Sequence, residues 1–202
     1  VLRLRPRHQP FAFDLDIARG QAVRRPTKTA DVALMTSRER VLTALNHREP
    51  DRVPIDLSGH RSSGIAAMAY ARLRQHLGLP RKPVRVYDPV QQLAIVDEDV
   101  LQRFHVDTIE LGRAFAREDK YWTDWVLPDG TPCYMPAWAK PDRLNGEWVL
   151  RSSVTGKVIA RMPEGVWYFE QATFPFLQRE DLDRLEAEFA ECMWSGIACP
   201  PG

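Results

Sequence analysis

The sequence predicts an α/β fold carrying an antiparallel β insert, and two observations carry that prediction. Over residues 36–111, helical apolar spacing alternates with short extended apolar runs, the rhythm of helices covering a mainly parallel sheet. Between about residues 120 and 170 the rhythm changes to short extended runs joined by tight turns.

Each element has a local reason. Thr36-x-x-Glu39 is a capping box, and Val41, Leu42 and Leu45 continue at helical spacing. The helix should end near Arg48, because Pro50 drives the residue before it out of helical space. Residues 53–57, Val-Pro-Ile-Asp-Leu, alternate as a short strand. Ser58-Gly59 then turns into a second helix, with Ile65, Met68, Ala69, Leu73 and Leu77 on one face and Gly78 as its stop. Val84 and Val86 mark another strand. Asp88-Pro89 reads as the cap and first turn of a third helix, continued by Leu93, Val96, Val100, Leu101 and Phe104. Residues 106–111 close this region as a buried strand. In the insert, about residues 120–170, Pro128-Asp129-Gly130-Thr131 separates one pair of extended runs and Thr155-Gly156 another. Five of the six tryptophans fall in it, from Trp122 to Trp167, so the insert is either a lid over a flat ligand or a structural layer that closes the fold or makes a homodimer contact. A last helix carries Leu182, Leu185, Phe189 and Met193 on one face.

Residues 1–34 differ in kind. Arg3, Arg5, Arg7, Arg19, Arg24, Arg25 and Lys28 stand against three acids, three prolines interrupt, and apolar residues keep no period. This stretch reads as a disordered or non-native extension ahead of Met35, with an organellar leader or a basic arm as alternatives.

Composition narrows the function classes. A formal net charge of +1 with 27% charged residues argues against a nucleic-acid protein, which needs a basic face. No apolar run is long enough to span a membrane. Three widely spaced cysteines, Cys133, Cys192 and Cys199, fit reduced thiols in a cytoplasm better than a disulfide framework. Cys192 and Cys199 lack a zinc spacing, and no histidine lies near them.

Residues 35–54, Met-Thr-Ser-Arg-Glu-Arg-Val-Leu-Thr-Ala-Leu-Asn-His-Arg-Glu-Pro-Asp-Arg-Val-Pro, resemble the opening of the uroporphyrinogen decarboxylase-like superfamily. Asp88-Pro-Val-Gln-Gln-Leu-Ala, Asp97-Glu-Asp-Val-Leu and Phe104-x-Val-Asp107 agree with it. The resemblance implies a TIM (β/α)8 barrel. Since such a barrel takes about 250 residues, residues 35–202 would supply only its N-terminal part, and the chain would be a fragment. The superfamily holds the heme-pathway decarboxylase and zinc-dependent methyltransferases that move methyl groups between corrinoids and thiols such as coenzyme M. The decarboxylase's substrate-clamping arginines have no counterpart, because Gly59 and Ser63 stand at their positions. Its catalytic aspartate aligns with Ala114. The resemblance therefore implies corrinoid-dependent methyl transfer in the full-length protein. Decarboxylation of a porphyrin precursor, or a non-catalytic binding barrel, are the alternatives. Zinc and a corrinoid or corrinoid-protein partner would belong to the full-length protein, with no cofactor held within this chain.

Four residues are candidates for binding a small-molecule substrate, and none is assigned as catalytic. His60 and Arg61 follow directly on a predicted strand, where an arginine can grip a carboxylate or phosphate; the alternative is an ordinary solvated loop. Glu110 lies in the predicted strand 106–111, either facing inward as a base or cation anchor, or facing water. Arg113 would pair with Glu110 or bind an anion. Asp88 reads as a helix cap, with a catalytic role as the alternative.

Overall fold

The capping box is formed as its sequence dictates. In a computed structural model that describes residues 34–111, 117–177, 189, 191 and 192, Thr36 Oγ1 accepts the Glu39 N–H at 3.2 Å and Glu39 Oε2 accepts the Thr36 N–H at 2.9 Å. Helix α1 (Ser37–Leu45) follows. It stops short of Arg48 because Asn46 and His47 turn the chain, His47 with a φ of 56°. The residue α1 buries is Arg40, 5% exposed, which reaches inward to acids rather than to a greasy face.

The strands expected at residues 53–57 and 106–111 do not form. The two segments share one backbone hydrogen bond, in which the Asp107 N–H donates to the Ile55 carbonyl at 2.8 Å. The next ladder position is taken by a side chain, since Asp107 Oδ2 accepts the Ile55 N–H at 2.9 Å. A carboxylate has replaced a backbone carbonyl, and pairing goes no further.

Helix α2 (Ala67–His76) begins well after Ser58-Gly59, behind a 3-10 turn at Arg61–Ser63. Ile65 and Ala66 are held extended, because the Ile65 carbonyl accepts the Ala94 N–H and Ala66 bridges Leu93. Gly78 stops the helix at a φ of +69°, as its position predicts. Strand β1 (Val84–Asp88) then leads into a turn. The third helix does not start at Asp88: Gln92, with a φ of 53°, reverses the chain into β2 (Leu93–Ala94), and α3 (Glu98–Arg103) opens only after Asp97.

The aromatic region forms antiparallel strands on both expected turns. β3 (Trp122–Val126) pairs with β4 (Pro132–Pro136), and β5 (Asp142–Leu144), β6 (Glu147–Arg151), β7 (Val158–Met162) and β8 (Glu170–Gln171) make a meander. β4, however, also pairs in parallel with β1, Val84 opposite Cys133. The described residues therefore form two four-stranded sheets, β2-β1-β4-β3 and β5-β6-β7-β8, and no closed barrel. This corrects the partial (β/α)8 barrel. Among the described residues there are three α-helices, two would-be barrel strands lack ladders, and the supposed insert occupies the edge of β1 where a barrel neighbour would lie. The last expected helix, around residues 182–193, falls mostly outside the described residues.

One core joins the sheets. Val86 of β1, Met135 of β4, Leu150 of β6 and Ile159 of β7 are fully buried in one cluster with Tyr70 of α2. Trp125 meets Trp148 edge to face at 5.3 Å between ring centres. Each such aliphatic side chain contributes about 1.5–3 kcal/mol by leaving water, so hairpin and meander are cemented to β1 rather than hung from it.

Candidate active site around the end of β1

The alternation of β1 ends on an acid, and the fold buries it. Asp88 is 1% exposed. Its Oδ1 accepts the N–H groups of Val90 and Gln91, both at 3.1 Å, so it caps a turn instead of a helix. Its other oxygen lies 2.9 Å from Arg61 Nε, an ion pair that brings the loop after residue 57 onto the end of β1. Burial pushes the Asp88 carboxyl above its usual range, against the pull of the two N–H groups and Arg61.

Two other sequence candidates share this neighbourhood. Burial raises the Glu110 carboxyl, Arg61 and His60 pull it down, and Asp88 pushes it up. Tyr87, next to Asp88, has its hydroxyl pushed up to about 12, first by burial and then by Glu110 and Asp88, with Arg61 opposing. Glu110 thus feels the charges of Arg61, His60 and Asp88, and Tyr87 those of Glu110, Asp88 and Arg61. His60 also shapes its own loop, because its Nδ1 accepts the Ser62 N–H at 3.2 Å and caps the 3-10 turn. Arg113 lies outside the described residues.

The turn that Asp88 caps also shapes a cavity of about 410 Å³, lined by Gly64, Val90, Gln91, Leu93, Tyr168 and Phe169. Phe169 is fastened there by its N–H to the Val90 carbonyl at 3.1 Å. Gly64 is required on the wall, since a Cβ would run into the Leu93 side chain. The volume suits a small molecule.

The supports of this site are acids that the sequence offered within the family motifs and not as site residues. Asp107, its side chain fully covered, accepts from Arg40 Nη1 at 2.5 Å, from Arg52 Nη1 at 2.7 Å and Nη2 at 3.0 Å, and from the Ile55 N–H. Burial opposes its ionisation, but the Ile55 N–H, Arg52, Ser37 and Arg40 together hold the carboxyl well below the usual range. Asp51 completes the latch with Arg40 Nε at 2.6 Å, and that pairing lowers its carboxyl to about 2. Asp88, expected as a helix cap with catalysis as the alternative, lies between the Arg61 loop and the turn after β1; an acid closing an apolar run was the available signal.

The described residues do not build a zinc site, since they contain no group of three potential ligands. Cys133 is buried on β4, and burial lifts its thiol to about 12, away from the thiolate a metal needs. The aromatic residues act mainly as a structural layer. Trp122, Trp125, Trp138 and Trp148 are buried or half-buried, with Arg85 over Trp122 and Arg143 over Trp148. Tyr168, which lines the cavity, and Trp167 before it in sequence are about half exposed. Among the described residues no helix is long and apolar enough to cross a membrane. No protein-family model, curated protein or solved structure matches this chain.

Proposed function

We propose that the chain belongs to a uroporphyrinogen decarboxylase-like enzyme that transfers a methyl group between a corrinoid and a small anionic acceptor. The observation that carries this reading is the pairing of Arg61 with buried Asp88 beside Glu110. One guanidinium among two acids suits an acceptor with a single anionic group, such as coenzyme M. It does not suit a tetrapyrrole bearing many carboxylates, because each buried unpaired carboxylate would cost several kcal/mol, in order of magnitude. The motif residues also support the reading by their use: Thr36, Glu39, Arg40, Asp51, Arg52 and Asp107 all bond to one another or to Ile55.

In this mechanism Asp88, whose neutral form burial favours, takes a proton from solvent as the acceptor binds, and Arg61 turns to the acceptor's anion. Glu110 accepts the proton of the acceptor's thiol as its sulfur forms the new bond to carbon. Trp167 and Tyr168 offer flat apolar area on which a corrinoid ring can rest. A corrinoid, if bound, would supply the electrophilic methyl group and take up the electron pair of the broken carbon–metal bond. No step is assigned to zinc. A corrinoid protein is the proposed partner. The cytoplasm is the proposed compartment, supported by the buried free thiol of Cys133.

The test incubates the full-length protein with methylcobalamin and coenzyme M and follows the cobalamin spectrum, with uroporphyrinogen in a parallel arm. Demethylation that Arg61→Ala slows at least tenfold is the expected result. Coproporphyrinogen formation, or an unchanged cobalamin spectrum, would overturn the reading.

A further inference from the structure

Arg61 and Glu110 reach the end of β1 from two segments that share no ladder. Something must hold those segments in one frame, and the structure shows what does. The Asp56 carboxylate lies between them: its Oδ1 accepts the Gly59 N–H at 2.8 Å from the loop that carries His60 and Arg61. The same oxygen accepts the Thr108 hydroxyl at 2.6 Å, two residues before Glu110. Gly59 has to be glycine for this approach, because a Cβ would collide with both the Asp56 carboxylate and the Thr108 hydroxyl. Ser63 closes the loop, its carbonyl accepting the Ser58 N–H at 3.0 Å and its hydroxyl donating to the His60 carbonyl at 3.0 Å.

We infer that Asp56 is a positioning residue, whose bonds to Gly59 and Thr108 set Arg61 and Glu110 at a fixed separation about Asp88. Asp56 touches no reacting atom; it acts through the two segments it ties. Burial opposes its ionisation, yet the Thr108 and Ser63 hydroxyls, the Gly59 N–H and nearby His60 keep its carboxyl below the usual range, so it is an acceptor for both bonds at neutral pH. Asp107 anchors the same segment one residue earlier, which leaves Thr108 as the point where that anchoring passes to the loop. The inference deepens the proposed function and rests on its choice of site, so its readout is one that needs no turnover.

The experiment follows the Glu110 carboxyl by carbon-13 NMR titration in the full-length protein and in Thr108→Val, Thr108→Ser and Asp56→Asn. The charged groups that act on Glu110 are Arg61, His60 and Asp88, Glu110 in turn acts on Tyr87, and all are retained in these variants. In Thr108→Val and Asp56→Asn the Glu110 carboxyl should fall toward its ordinary value as the segment loosens and burial is lost. Thr108→Ser, which keeps the hydroxyl, should titrate as wild type. An unmoved Glu110 in Thr108→Val, or an equal shift in Thr108→Ser, would overturn the inference even if methyl transfer is observed. Should Asp56→Asn fail to fold, the Thr108 pair tests the same bond from its other end. If methyl transfer fails while the titration behaves as expected, the proposed activity falls and the positioning role stands.

Discussion

Asp107→Ala tests how the N-terminal latch is built. The substitution removes a fully covered carboxylate that receives two bonds from Arg52, one from Arg40 and one from the Ile55 N–H. Breaking a buried ion pair by deleting one partner costs about 3–5 kcal/mol, because the other charge is left behind. The lower end applies here, since the Arg52 side chain is 34% exposed and can turn to water, while Arg40 keeps Asp51. A loss of about 3 kcal/mol corresponds to roughly 6–12 °C in thermal midpoint for a chain of this size. The pH dependence sharpens the test. A carboxyl held below its ordinary value binds protons more weakly folded than unfolded, so its stabilisation is complete above the usual 3.8 and fades as pH falls below it. The gap between wild type and variant should therefore be widest near neutrality and shrink in acid. Differential scanning calorimetry of the full-length protein across that range reads both effects. A midpoint within about 2 °C of wild type at pH 7 would refute the latch as a source of stability.

Asp88 predicts the opposite pH dependence. Its raised carboxyl binds protons more tightly when folded, so it costs stability as pH rises past the ordinary carboxylate range. Arg61→Ala, which leaves that acid without its cation, should destabilise more at pH 8 than at pH 5; equal losses in urea titrations at both pH values would count against the ion pair. Cys133, buried with its thiol near 12, should resist alkylation at pH 8 until the protein unfolds, and mass-spectrometric labelling of the native state would contradict its placement.

How much of the fold and site is legible follows from where each signal resides. The capping box, the Gly78 stop and the two hairpin turns at residues 128–131 and 155–156 are local chemistry, and they appear where the residues put them. Asp88 is legible as a cap but not as the cap of a turn: the deciding residue is Gln92, whose positive φ nothing in its type announces. Alternation predicts strands at residues 53–57 and 106–111. It cannot foresee that Asp107 would place its own carboxylate on the Ile55 N–H. His60, Arg61 and Glu110 stand out as site candidates by their position in or after apolar runs. Asp56 and Asp107, equally near, do not, because an acid inside a short extended run gives no sign of what lies across from it.

The parallel pairing of β1 with β4 bears on how the molecule acquires its shape. A hairpin such as β3–β4 closes over a few residues and can form within microseconds, whereas β1 meets β4 only across a long intervening segment. The β1 edge must therefore wait for the hairpin to arrive as a finished unit. Until it does, Val84 and Val86 have lost a neighbour on one side, and the chain beyond them has no platform. Weakening the turn at Asp129-Gly130, which stands far from Asp88 in sequence, should thus slow refolding while leaving the chemistry at the other end of β1 intact once the strand is docked.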